Sequence, residues 1–224
     1  MNLLEIRDES IVSKTTLTRK LTLGGVTKAY PVYKVHLDYL FYNDQNDRIA
    51  TWITQYKNDS KNNSFNDLSR EDYNNIIQQF IIESNPMAIE KTKNNIALVN
   101  QREPGVVLLD GRIVDGNRRF TCLRLLNAED PSVEYFETVI LDASAEDDKK
   151  QIKMLELAIQ HGEEQRVDYN MIDMAVGAYH DIEETQLLTI EEYADSTVQL
   201  MPNPLLPAPI LVKSANTKER EDTR

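Results

Sequence analysis

The residues best suited to chemistry fall in one stretch, Val106-Val107-Leu108-Leu109-Asp110-Gly111-Arg112-Ile113-Val114-Asp115-Gly116-Asn117-Arg118-Arg119-Phe120. Two short β-rich runs flank Asp110-Gly111, a strong tight-hairpin signal, and a helix is expected to open at Gly116. A helix start presents backbone N–H groups that have no intrahelical acceptor, at the positive end of the helix dipole. Arg118 and Arg119 add full charges and forked donors that suit phosphate oxygens. Gly116, Asn117, Arg118 and Arg119 therefore describe a place to hold an anion, phosphate first. Asp115, at the strand end, is the acid best placed to act as a base or metal ligand. The plainer alternative has Gly116 ending a strand, the arginines pairing with nearby acids, and Asp115 serving the turn.

The surrounding elements must position this stretch. Thr16 to Asp38 reads as β structure turning at Gly24-Gly25, and residues 1–15 as a flexible arm. A helix is expected near Ala50 to Tyr56, and a polar loop from Lys57 to Asp67. Ser69-Arg70-Glu71-Asp72 resembles a capping box, and Leu68 with Tyr73 could staple it. Tyr73, Ile76, Ile77, Phe80 and Ile81 then mark one buried helix face, which Asn85-Pro86 stops. The arginine helix is expected from Asn117 to Leu126, a strand from Glu137 to Asp142, and helices marked by Ile152, Leu155, Ala158, Ile159 and by Ile172, Ala175, Val176, Tyr179, Ile182. This order implies an α+β domain over residues 16–186, with a small mixed sheet, flanking helices and a helical C-terminal part. Residues 187–224 form an extension: a helix start from Leu188 to Ala194, then Pro202, Pro204, Pro207 and Pro209 and a polar end expected to be mostly disordered.

Gly116-Asn117-Arg118-Arg119, between a strand and a helix, resembles the signature box of the ParB/sulfiredoxin superfamily, whose ParB-type members carry Gly-Glu-Arg-Arg or Gly-His-Arg-Arg there. A second stretch resembles the family in the right order: Gln165-Arg166, Asp168, Asn170, Ile172, Asp173 and Ala175 match its Glu-Asn-Ile-Gln-Arg-x-Asp-Leu-Asn-Pro-Ile-Glu-Glu-Ala. A looser likeness to the family's first box follows the early strands, where Asn43, Asn46 and Arg48 are expected near a ligand. The plainer reading of those residues is a turn rich in side-chain-to-backbone bonds. The resemblance covers about residues 30 to 184.

By position, the resemblance implies a nucleotide, CTP or ATP, with its phosphates on Gly116, Asn117, Arg118 and Arg119 and with Gln165 and Arg166 assisting. It implies Mg²⁺ held by Glu163 or Glu164, a hard cation taking oxygen ligands. Gly162 and Glu163 stand where the family has its Glu-Asn pair, so hydrolysis is expected to be slow at most. The first reading is thus a ParB-like nucleotide-binding switch linked to DNA maintenance or regulation, with homodimerisation as its expected partner chemistry. A second is a ParB-like nuclease or phosphotransfer enzyme using Asp115 and Glu163, which leaves enzyme status open. A third is a non-catalytic protein-interaction module. Sulfiredoxin chemistry is not expected: Asn117 stands where that branch has its cysteine, and Cys122 reads as a packed thiol. A full ParB continues into a helix-turn-helix, but prolines follow Leu188 to Ala194 here, so DNA is expected only indirectly or through a separate module.

Composition sets the outer limits. A net charge of −12 over 224 residues is wrong for non-specific duplex binding, which depends on Lys and Arg, although a local basic cleft remains compatible with it. A single cysteine excludes an intramolecular disulfide and a cysteine zinc site. His36, His161 and His180 lack metal-ligand spacing. No apolar run approaches the roughly 18–20 residues of a membrane span, and Met1 to Asp8 lacks the pattern of a signal peptide. A cytoplasmic location with no membrane partner is the expectation.

Overall fold

Gly24-Gly25 separates two long strands, β1 (Val12–Leu23) and β2 (Val26–His36), which pair antiparallel from Leu23↔Val26 back to Val12↔Val35. The computed structural model describes residues 1–23, 26–43, 49–59, 65, 68–142, 150, 152–154, 156–157 and 171–198. The remaining strands are β3 (Gly105–Leu108), β4 (Ile113–Asp115) and β5 (Tyr135–Leu141). They complete a mixed five-stranded sheet in the order β1-β2-β5-β3-β4, with β5 parallel to β3 and the other pairs antiparallel. The helices are α1 (Ala50–Asp59), α2 (Arg70–Ser84), α3 (Pro86–Val99), α4 (Asn117–Glu129), α5 (Met171–Tyr179) and α6 (Ile190–Val198). The described residues between 150 and 157 are helical too. The fold is α+β, as expected.

Both faces of the sheet are apolar because its central strands alternate. Val107, Ile113, Phe136 and Ile140 face one core, filled by Ile53 of α1, Ile77 and Ile81 of α2, Ile89 and Ile96 of α3, and Phe120 and Leu123 of α4. Val106, Leu108, Val114, Val139 and Leu141 face the other, met by Leu21 of β1, Val32 of β2 and the half-buried Ile152. Buried on both sides, β3 reads as a continuous apolar run instead of an alternating one.

The β1–β2 hairpin does more than extend the sheet. Only Val32 to His36 of β2 pair with β5, so the outer half of the hairpin lies beyond that ladder. The β1–β2 register shifts between Lys14 and Thr18, and a bulge of this kind bends a strand. Leu21, from the outer half, packs against Val106, Leu108 and Val114 of β3 and β4. The hairpin therefore curls over the second face and acts as its lid.

Residues 1–15, expected as an arm, touch the fold at several points. Leu3 is fully buried in the first core, its N–H donates to the Leu109 carbonyl at 2.8 Å, and β1 already begins at Val12. Ile6 packs against the same core, and the Tyr135 hydroxyl donates to the Ser10 carbonyl at 3.1 Å. A helix that the sequence reading did not mark, α3, follows α2 at once. Asn85 ends α2 and caps α3, its side chain accepting from the Ala88 N–H at 3.0 Å, with Pro86 in the first turn. The Ser69 cap is as expected, the hydroxyl oxygen accepting from the Asp72 N–H at 3.1 Å. Beyond Ile182, Leu188 is buried and α6 runs from Ile190 to Val198; the tail expected beyond lies outside the described residues.

Candidate functional site

The Asp110-Gly111 turn forms as the sequence implies: the Gly111 N–H donates to the Leu108 carbonyl at 3.0 Å and the Arg112 N–H to Asp110 Oδ1 at 2.9 Å. The chain leaves β4 at Asp115 and reaches Gly116, the N-cap of α4, with φ 102° and ψ 19°. No side chain caps this helix. A Cβ at Gly116 would lie 2.8 Å from Phe136 Cζ and 3.2 Å from a guanidinium nitrogen of Arg119. Glycine is thus required twice over, for the left-handed backbone and for the close approach of the Phe136 ring. α4 is fixed over the sheet by Phe120, whose ring meets Phe136 edge-on at 6.0 Å and Tyr42 at 4.9 Å between centroids.

The two arginines separate. Arg119 folds back, donating to Asp115 Oδ2 at 2.9 Å. The same oxygen accepts from Arg19 of β1 at 2.8 Å, and the same Arg19 nitrogen also donates to the Pro104 carbonyl at 2.7 Å. Asp115 is 6% exposed and the arginines 11% and 13%. Asp115 thereby holds two guanidinium groups in place. Arg118 instead turns to α3 and lines an open cleft of about 570 Å³ with Ala88, Lys91, Thr92, Asn94, Asn95 and Leu98. Asn117, the first residue of α4, is 6% exposed, and its Oδ1 has no hydrogen-bond donor among the described residues. A buried acceptor of this kind calls for a water or ligand donor.

Behind this surface runs a buried polar chain. Thr121 Oγ1 donates to the Asn117 carbonyl at 3.0 Å and lies 2.9 Å from the Tyr42 hydroxyl, whose pKa burial pushes up to about 12. Asn74 Nδ2 donates to the Leu40 carbonyl and Asn74 Oδ1 accepts from the Tyr42 N–H, so one side chain satisfies the backbone where it leaves β2. Asn43, expected near the ligand, is buried and donates to Glu156 Oε2 at 3.4 Å. Glu156 belongs to a charged cluster the sequence reading missed. Lys153 Nζ lies 3.7 Å from Glu156 and 3.1 Å from Asp181, and all three residues are almost fully buried. Asp181 Oδ1 also lies 3.2 Å from His180 Nδ1, at the start of a π-helical turn, His180–Glu184. Charged residues one helical turn apart in an apolar segment, Lys153 and Glu156, were the available signal.

Cys122 is buried beside the arginines, and its thiol is pushed up to about 12 by desolvation, partly offset by Arg118 and Lys93. A thiol so poorly ionised is inert, in keeping with a packing role. Arg48, Glu163, Glu164, Gln165 and Arg166, like Asn46 and Asn170, lie outside the described residues. Among the described residues no group of three or more His, Cys, Asp or Glu side chains could hold a metal. Where carboxylates do gather, at Glu156 and Asp181, the Lys153 ammonium already lies between them. No described helix is long and apolar enough to cross a membrane.

No protein-family model matches the chain. Among curated proteins, a human protein described as "Transcription factor TFIIIB component B'' homolog" is 73% identical over 33 residues. That is 15% of this chain, and the chain spans only about 1% of that protein's length. Among solved structures the chain is similar to a Pnob8-like ParB-N domain in its C2221 form, with a TM-score of 0.40 and 11% identity. The similarity covers 76% of this chain and 62% of that one. A likeness of this size carries no argument about what the chain does.

Proposed function

We propose that the chain is a ParB-like nucleotide-binding switch that holds CTP or ATP, with Mg²⁺, at the start of α4. The reading rests on one observation: α4 opens at a left-handed glycine without a side-chain cap, beside a cleft that Arg118 lines. Backbone N–H groups and the helix dipole favour phosphate oxygens there. Arg118 adds a full charge, while Asp115 keeps the Arg119 guanidinium against Gly116. Phosphoryl chemistry asks mainly for positioning and charge neutralisation, and either Glu163 or Glu164 is proposed to hold the metal. Nucleotide occupancy would set self-association, and through it a role in DNA maintenance or regulation, with any hydrolysis slow. The nuclease reading is weaker, because its best base, Asp115, is committed to two guanidinium groups.

Thermal unfolding with CTP, ATP, GTP or UTP, each with and without Mg²⁺, tests the proposal. A ligand at about 100 times its Kd stabilises the folded state by about 2.7 kcal/mol. The expected result is a rise in Tm with CTP or ATP that Arg118→Ala abolishes. No rise with any nucleotide overturns the proposal.

A further inference from the structure

α3 presents an unusual face beside Arg118. Among the described residues, the side chains of Lys91, Thr92, Asn94 and Asn95 take part in no hydrogen bond or ion pair, yet all four line the same cleft. Ala88 and the 83%-exposed Leu98 supply its apolar contacts. The opposite face of α3 carries the packing: Ile89 and Ile96 are buried, and Lys93 is ion-paired with Glu129 on α4. The cleft-facing polar groups are therefore not needed to hold the helix in place. A volume of about 570 Å³ suits a small molecule, since ligand sites run from about 300 to 1,000 Å³.

We infer that this face of α3 reads the base of the bound nucleotide, an inference that rests on the nucleotide reading above. Each asparagine amide offers donors and an acceptor side by side, the arrangement that matches a nucleobase edge. Leu98 gives a base ring an apolar surface to lie against. Lys91 lines the cleft with Arg118, so two cations border the space the phosphates would take. The ligand class is a nucleoside triphosphate with its phosphates toward α4 and its base along α3. Thr92 and Lys91 border the sugar between them.

The test measures affinities of the full chain for CTP, ATP, GTP, UTP and inorganic triphosphate by calorimetry, in wild type, Arg118→Ala, and an Asn94→Ala/Asn95→Ala double variant. The replaced asparagines are exposed and uncommitted, so the double variant is expected to fold; its Tm without ligand checks this. The expected result is that the double variant loses about tenfold for the preferred nucleotide, or about 1.4 kcal/mol, and binds the four nucleotides alike. Its affinity for inorganic triphosphate should stay unchanged, whereas Arg118→Ala weakens every ligand. A double variant that keeps the wild-type order of nucleotides, or a wild type that binds all four equally, overturns the inference and leaves the nucleotide reading standing. A wild type that binds neither nucleotide nor triphosphate overturns both.

Discussion

Arg19 and Asp115 come from the two opposite edge strands of the sheet, 96 residues apart in sequence, yet the guanidinium donates to Asp115 Oδ2 at 2.8 Å. The contact is reached because the β1–β2 hairpin bends over the sheet and brings Leu21 onto the second core. One carboxylate then joins the hairpin lid, the end of β4 and, through Arg119, the first turn of α4. The stability of the lid and the geometry of the candidate site are therefore coupled at Asp115.

Asp115→Asn keeps the shape of the side chain but removes the charge that both guanidinium groups share. Breaking a buried pair by neutralising one partner costs about 3–5 kcal/mol, and the two arginine side chains are only 11% and 13% exposed. Urea unfolding is expected to show a loss of that order, with a fall in nucleotide affinity as Arg119 loses its anchor. A variant as stable as wild type would show that Asp115 does not tie these elements together.

Gly116→Ala places a Cβ on a backbone with φ 102° and 2.8 Å from Phe136 Cζ. Strain of this kind costs about 1–3 kcal/mol, before Phe136 moves. A lower Tm is expected, and Gly116→Asn should be the less costly replacement for the backbone, since asparagine tolerates the left-handed region. Equal losses would mean that the Phe136 contact, not the dihedral, dominates.

Lys153→Met removes the ammonium that lies between Glu156 and Asp181 and leaves two buried carboxylates beside one another. The expected loss is about 3–5 kcal/mol in chemical denaturation. Lys153→Met combined with Glu156→Gln and Asp181→Asn should recover much of it, because the uncompensated charge is what costs. Failure of the triple variant to recover would assign the loss to packing.

His180 has its pKa raised, first by its hydrogen bond to Asp181, with Asp181 and Glu184 charges adding to it and desolvation and Lys153 opposing it. The folded chain holds the proton more tightly than the unfolded chain, whose imidazole titrates near 6.5. The resulting stabilisation is complete below that pH and is lost as pH rises through the folded-state value. His180→Gln is expected to flatten the stability profile on the alkaline side of 6.5. An unchanged slope there would remove His180 from the account.

Local chemistry was legible in the sequence and distant chemistry was not. The Asp110-Gly111 turn, the Ser69 cap, the buried stripe of α2 and the start of α4 each follow from residues a few positions apart. α3 was missed because Asn85-Pro86 was read only as a stop, although the same pair starts a helix. The turn of Arg119 back to Asp115 is an i,i+4 pair within reach of a local reading, whereas the second guanidinium on Asp115, that of Arg19, is delivered by the curl of the hairpin and no local pattern encodes it. Leu3 and the Lys153–Glu156–Asp181 cluster are also long-range outcomes: their burial depends on what packs above them, not on their own periodicity.

The central claim is that a nucleotide seats its phosphates at the start of α4. Backbone amide shifts of ¹⁵N-labelled protein, followed through a titration with CTP and then ATP in the presence of Mg²⁺, test it most directly. The account predicts saturable shifts centred on the amides of Gly116, Asn117, Arg118 and Arg119, extending to α3 and absent in Arg118→Ala. A titration that leaves those amides unmoved, or moves another part of the sheet instead, contradicts it.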